Sequence, residues 1–360
     1  MNVLILKPGQ QKLAFSYFSN GWDKPVCTGL LADYRSADGS QHALAHIIRQ
    51  IATAAGTNKA CASPQIIALR GVYGGEEFKA PTRVTPEVIQ RLEKLVPLAP
   101  LHTPPLLALI HACDAAFPNV PVILIFETAF FVNLPAREYL YAVDKNLAKT
   151  PGLRRFGYHG ICHANACAHI ARKRNAMGLT KPARVLSICL EARPEVAAVL
   201  GNKPLMVTSG ATPLEGLPGQ TSCGELDPSI VIMLAQKKGW GPEQINAVLT
   251  QQSGWMGLTG RITALAEIFN SDQPECKLAR EILQYRLLQV CGAGMAALGG
   301  VDAIVFSGRC SGVGVDLGLW LKQRLDFQHQ GNKNPITIEI CADSLDRVLA
   351  DTASAAVRLR

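Results

Sequence analysis

The chain has 360 residues, 48% hydrophobic and 18% charged, which excludes a disordered polymer and leaves length enough for two domains. Lysine and arginine outnumber aspartate and glutamate by 36 to 28, a net charge of +8. These positives are scattered and aromatics are only 6%, which excludes a base-stacking nucleic-acid surface.

Taken in chain order, Val3–Leu6 predicts a buried strand with no basic flank before it and no small-residue cleavage site after it, unlike a signal peptide. A glycine-proline turn, Lys7 to Lys12, follows it. Ala43–Ala55 predicts a helix, Ile66–Leu69 a strand, Pro86–Leu95 a helix and Val122–Phe126 a strand. The longest clean apolar run, Val120 to Phe126, is too short to span a bilayer, so a soluble, cytoplasmic protein is expected. Asn133 to Pro151 is polar and irregular and predicts the crossing between domains. Arg172-Lys173-Arg174 closes a helical segment, where a solvated basic end complements the helix dipole. Val185–Leu190 predicts a strand, Pro228–Lys238 and Cys276–Leu298 helices, Ile304–Phe306 a strand and Leu345–Val357 a last helix. Strands alternating with helices predict an α/β class, mixed sheets covered by helices.

Eleven cysteines without a Cys-x-x-Cys pair argue against a disulfide framework and for thiols in a reducing compartment. His159, Cys162, His163, Cys167 and His169 are close enough in sequence to suggest a metal cluster. The turn after the first strand and the stretch Ser307 to Gly314 are glycine-rich and leave strands, as phosphate-binding loops do. Neither fits a Walker A or a dinucleotide fingerprint, so by itself each reads as an ordinary tight turn.

Other stretches are more specific. They are Leu69-Arg70-Gly71-Val72-Tyr73-Gly74-Gly75-Glu76, Leu98-Ala99-Pro100-Leu101-His102-Thr103-Pro104, Arg154-Arg155-Phe156-Gly157-Tyr158-His159-Gly160, Thr212-Pro213-Leu214-Glu215-Gly216-Leu217 and Gly299-Gly300-Val301-Asp302-Ala303-Ile304-Val305-Phe306. In this order they resemble the motifs H-R-V-V-H-G-G-E, L-A-P-L-H-N-P and R-R-Y-G-F-H-G and two further blocks of the acetate and propionate kinases. The resemblance covers essentially the whole chain, although this chain is shorter than typical members, mostly before Arg70. It implies two related actin/hexokinase-like (ribonuclease-H-like) α/β domains, each on a five-stranded sheet, with a nucleotide cleft between them. The expected domains are residues 1–135 plus 346–360 and residues 136–345, the second carrying a homodimer contact. The family moves a phosphoryl group between Mg-ATP and a short carboxylate, and no nucleic acid or membrane is expected as partner.

Carried over residue by residue, the resemblance implies that Arg70 meets the carboxylate or transferring phosphoryl group. Val72, Leu101 and Pro213 would line the acyl pocket with His102 beside them, and His159 would donate to the transferring group. His163 falls on a second family histidine, which argues against the metal cluster. The nucleotide side departs from the pattern. The loop N-A-G-S-S-S-x-K is Lys7 to Ala14, with Gln10, Gln11 and Lys12 at the serines. The catalytic aspartate of F-D-T-A-F-H is Glu127. The glycines of H-L-G-N-G-S-S are lost in Cys189 to Glu195, where Glu191 would face phosphate oxygens unless it turns away. The catalytic arginine falls on Ser222, and the magnesium-associated glutamate falls on Ser344, with Asp343 and Asp346 near. New cations, Lys7, Lys12, Arg193 and Arg309, lie in or near the rewritten loops. Lys7, Arg193, Gly308 and Arg309 are therefore the candidate nucleotide-binding residues, and the metal ligands are left unassigned. The expected function is an acetate-kinase-like protein that keeps its acyl pocket and loses efficient phosphoryl transfer. The alternatives are a working acyl kinase using the new cations, and a pseudokinase sensor or complex partner.

Overall fold

The structure, a computed structural model, describes residues 1–9, 12–19, 24–55, 63–325 and 335–358. The chain divides into two compact units, Met1–Val132 with Asp343–Arg360, and Asn133–Ala342.

In the first unit, β1 (Val3–Pro8) pairs antiparallel with β2 (Lys12–Phe18), which pairs antiparallel with β3 (Cys27–Ala32). On its other side β1 runs parallel to β4 (Ile66–Gly71), and β4 runs parallel to β6 (Val122–Phe126). Central parallel strands are covered on both faces, which is why β1, β4 and β6 read as unbroken apolar runs. A two-residue strand, β5 (Thr82–Arg83), pairs antiparallel with the outer side of β6, so the sheet has six strands in the order β3-β2-β1-β4-β6-β5. The expectation of five strands is corrected by this short edge piece, which is too brief to leave a periodic signal.

Helix α1 (Ala37–Ala55) packs on α3 (Thr103–Ala116), and α3 also meets α2 (Pro86–Glu93). The start of α2 is set by Thr85, whose hydroxyl accepts the Val88 N–H, and by Pro86 in the first turn. The last helix, α12 (Leu345–Arg358), lies on β1, β4 and β6 and buries Leu349, Ala350 and Ala353.

The second unit repeats the plan. Strands β7 (Arg184–Cys189), β8 (Glu195–Leu200) and β9 (Lys203–Val207) form an antiparallel meander. Parallel β10 (Ala303–Ser307) and β11 (Thr337–Ile340) extend it in the order β11-β10-β7-β8-β9. Helix α4 (Ala136–Tyr139) and a 3₁₀ turn at Leu147–Lys149 interrupt the stretch expected to be irregular. Arg154 stacks its guanidinium 4.0 Å from the Tyr139 ring, which anchors that short helix. Helix α5 (Gly160–Ala176) packs on β7 and β10 and ends in the basic run.

Beyond β9 come α6 (Pro228–Lys238), α7 (Pro242–Gln251), α8 (Gly254–Thr259) and α9 (Leu265–Asn270). The 25-residue α10 (Pro274–Leu298) buries Cys276, Ala279, Leu283, Leu287, Cys291 and Met295, a three-four repeat facing the sheet. It stops at Gly299, whose positive φ closes the helix end. Helix α11 (Gly314–Leu325) covers β11. Among the described residues no helix is long and apolar enough to cross a membrane.

Candidate active site

In the first unit the parallel strands β4 and β6 end side by side, and their C-terminal ends bring Arg70 and Glu127 together. Arg70 is the last residue but one of β4, and Glu127 opens the 3₁₀ turn Glu127–Phe131 that follows β6. Arg70 Nε donates to Glu127 Oε1 at 2.5 Å, and the Glu127 carboxylate is only 1% exposed. Arg70, Val72, Leu101 and His102 line one small pocket with Pro8, Tyr34 and Leu106. Three of the four residues expected around an acyl tail therefore meet beside Arg70. The pocket holds about 10 Å³, room for a single water, so any acyl group must displace a wall side chain. Leu101, with more than half its surface exposed, is the wall with room to move. Pro213 belongs to the second unit, so the expected apolar set is divided between the units.

The first loop is engaged with its own unit. Lys7 forms an ion pair with Asp346, which also accepts a hydrogen bond from Ser16. Gly9 N–H donates to Lys12 O at 2.9 Å, and Gly9 O accepts the Tyr34 hydroxyl. In a phosphate-binding loop such N–H groups face the ligand. Gln10 and Gln11 lie outside the described residues. Ser344 caps α12 by accepting the Arg347 N–H at 3.2 Å.

In the second unit the Tyr158-His159-Gly160 turn is pinned by Glu195, the first residue of β8. Its fully buried carboxylate accepts the N–H groups of Tyr158 and His159, each at 2.9 Å, and lies 3.2 Å from His163 Nε2. Burial by itself would raise the Glu195 pKa. The His163 contact, the charges of His159 and His163, and Ser209 outweigh it and hold the group at about 2. His163 Nδ1 meets Ser187 Oγ at 2.7 Å. His159 Nε2 donates to the Arg193 carbonyl at 3.1 Å, which fixes its proton on that nitrogen and leaves Nδ1 as the other ring position.

Glu191 does not face an open anion site. It accepts the Arg309 N–H at 2.9 Å and Arg309 Nε at 2.6 Å. The turn is tight at Gly308, whose φ is +87° and whose Cβ would fall 2.8 Å from Leu190 O. Ser222 is 1% exposed, in a turn where Gly219 N–H donates to Ser222 O at 2.9 Å.

Arg70 lines the small pocket, while the acid and hydroxyl nearest the family's magnesium position are engaged within their own unit. The Asp346 carboxylate is taken by Lys7 and Ser16, and the Ser344 hydroxyl by its own helix. Among the described residues no group of three or more His, Cys, Asp or Glu side chains could hold a metal ion. Sequence reasoning assigned no role to Glu195, whose signal was an acid opening an otherwise apolar strand. It named Asp346 only as a neighbour of Ser344. A lysine in the buried strand β1 was the cue that a counter-charge had to lie nearby.

A model of the acetokinase family matches residues 30–317 of this chain. The acetate kinase of Fervidobacterium nodosum is 32% identical over 342 residues, covering 87% of this chain and 82% of that protein. That of Thermosipho africanus is 36% identical over 250 residues, covering 68% of this chain and only 60% of that relative's length. Among solved structures, Porphyromonas gingivalis acetate kinase superposes with a TM-score of 0.86 at 24% identity, covering 99% of both chains. A propionate kinase from Francisella tularensis gives 0.84 at 23% identity, covering 98% of this chain and 99% of that one. The fold is that of these kinases, with two actin/hexokinase-like α/β domains. The chain belongs to the acetokinase family.

Proposed function

We propose that this chain is an acetokinase-family protein that keeps a short-carboxylate or acyl-phosphate pocket and has lost efficient Mg-ATP-dependent phosphoryl transfer, its two units serving as the functional domains. One observation carries this reading. Lys7 and Arg309, two of the cations that arose in the rewritten loops, are paired with Asp346 and Glu191 of their own units. A paired cation offers little to a phosphate. Losing one preorganised donor to a developing anion costs about 10²–10³ in rate. A carboxylate displaced by one methylene, as at Glu127, adds roughly 10² through misplacement. The pocket beside Arg70 is the part that survives, in keeping with a ligand-binding pseudokinase.

A working acyl kinase is the second reading, favoured by Arg193, which keeps its charge without a counter-charge among the described residues. Mg-ATP at ~1 mM should raise stability by less than about 1 kcal/mol. Acetyl or propionyl phosphate formation should stay near background. A dissociation constant below about 100 μM, or robust acyl phosphate formation, would favour the working enzyme.

The proposal includes a homodimer formed through the second unit. Helix α6 buries none of its side chains, and Val231, Ile232 and Met233 are exposed on it, a patch that suits association. Light scattering at micromolar concentration should give twice the monomer mass, and a monomer would contradict the arrangement.

A further inference from the structure

We propose that Arg193 is an oxyanion-binding residue of the second unit, occupying the neighbourhood from which the motif's arginine is missing at Ser222; this rests on the reading that the protein binds a small acyl anion. The loop between β7 and β8 carries Arg193 against the turn that contains Ser222. A Cβ at Gly219 would fall 3.2 Å from Arg193 Cγ and 2.5 Å from Ser222 Oγ. The arginine stem and the serine hydroxyl thus press on the same glycine, which has no space for a side chain. The turn is fixed from several sides, by Gln220 N–H on Ala192 O at 2.7 Å and Trp255 N–H on Gly219 O at 3.1 Å. His159 reaches the same loop through the Arg193 carbonyl.

Pairing separates Arg193 from other arginines of the second unit. Arg309 is paired with Glu191, Arg155 with Glu215 and Arg184 with Asp302. Glu195, two residues away, is taken by His163 and two backbone N–H groups. Among the described residues Arg193 has no side-chain hydrogen bond or ion pair, and burial without a counter-charge pushes its pKa down. Desolvating a cation with no partner is unfavourable unless an anion arrives to pair with it. The planar guanidinium fork matches a carboxylate or phosphate oxyanion. An arginine at position 222 itself would start from a residue with 1% exposure, whereas Arg193 is only half-buried. The competing explanation is a purely structural stem that covers Gly219. Methionine reproduces the stem and removes the charge.

The test uses the full chain and nucleotide-free probes, so it is independent of whether ATP is bound or turned over. Inorganic phosphate and acetate are titrated separately by calorimetry into the wild type, Arg193→Met, Arg193→Lys and a charge-removal control, Lys173→Met. The control residue pairs with Glu339. Saturable binding of one probe should weaken about tenfold or more in Arg193→Met, less in Arg193→Lys, and not in the control. Loss confined to phosphate assigns a phosphoryl site, and loss confined to acetate assigns a carboxylate site. The proposal falls if folded Arg193→Met binds both probes as the wild type does, or if the wild type binds neither up to ~100 mM. Should Arg193→Met fail to fold, Arg193→Lys decides: several-fold weaker binding supports the fork, and wild-type binding overturns it.

Discussion

Glu195 is a buried acid whose charge is held by neighbours rather than by water. Its carboxylate accepts two backbone N–H groups and adjoins His163, and it titrates near 2 while ordinary glutamates titrate near 4.3. The folded pKa is depressed, so between about pH 4.5 and pH 2 the unfolded chain binds the extra proton. The stabilisation from this group is therefore complete above pH 4.5 and is lost as pH falls toward 2. Glu195→Gln keeps the shape but supplies one acceptor oxygen where two served. It should cost about 1–3 kcal/mol at pH 7. It should also flatten the acid limb of the stability curve. Urea unfolding of both forms at pH 7, 4 and 3 measures this, and parallel curves would show that the carboxylate charge is not what holds the Tyr158-His159 turn. That role was hidden in the sequence, because the groups that stabilise Glu195 come from α5 and from the turn before it, some 36 residues away.

Strands β4 and β6 show how strand packing positions the Arg70–Glu127 pair. Gly71 lies directly across from Phe126 in the parallel register, and a Cβ at Gly71 would fall 2.3 Å from the Phe126 ring. The ring is held there by stacking on Phe78, with centroids 4.7 Å apart. Glu127 follows Phe126 directly, so displacing the ring displaces the acid that Arg70 meets. Gly71→Ala should therefore cost about 1–3 kcal/mol through overpacking. Binding of acetate should weaken with it, and a second change, Phe126→Leu, should recover part of the stability by making room. Equal stability of Gly71→Ala and the wild type would remove this link between strand packing and the Arg70–Glu127 pair. The buried parallel strands were legible because both of their faces are covered, which forces apolar residues at every position. Strands β2, β3, β8, β9 and β11 were missed, as was the two-residue β5. Lys12 and Ser16 interrupt β2, the edge strand β3 alternates only partial burial, and β8 begins with Glu195. Gly71 read as a motif letter, whereas its reason is the ring on the neighbouring strand.

At the scale of the whole molecule, the two units share a plan of three antiparallel strands followed by parallel ones, and each repeats the same electrostatic event. In the first unit Lys7 is matched by Asp346 from the far end of the chain. In the second, Arg309 is matched by Glu191. Motif comparison located the changed loops, since altered letters stand out in a short pattern. It could not pair them, because the partners lie 339 and 118 residues apart and only the fold joins them. The expectation that Glu191 would face phosphate oxygens gave way to the Arg309 contact for that reason. If pairing is what withholds these cations, neutralising the acids should release them. Asp346→Asn keeps an acceptor for Ser16, and Glu191→Gln keeps one for the Arg309 N–H, so the backbone should hold its course. Lys7 and Asp346 are each mostly buried, so Asp346→Asn leaves Lys7 without its counter-charge and should cost about 1–3 kcal/mol, which the Tm without nucleotide measures. Each freed cation can then contribute a charge-assisted contact to a phosphate, roughly a tenfold gain in affinity per site. The double variant should accordingly show a larger Mg-ATP-dependent rise in Tm than either single variant or the wild type. Catalysis should remain near background, because Ser222 and Glu127 still lack the transferring charge and the shorter acid. Adding Ser222→Arg and Glu127→Asp should then raise acetyl phosphate formation by more than the separate changes combined, as residues acting as a unit do. An unchanged nucleotide response in the double variant would move the cause from the ion pairs to the backbone. Gly9 N–H on Lys12 O would then be the contact that closes the phosphate loop.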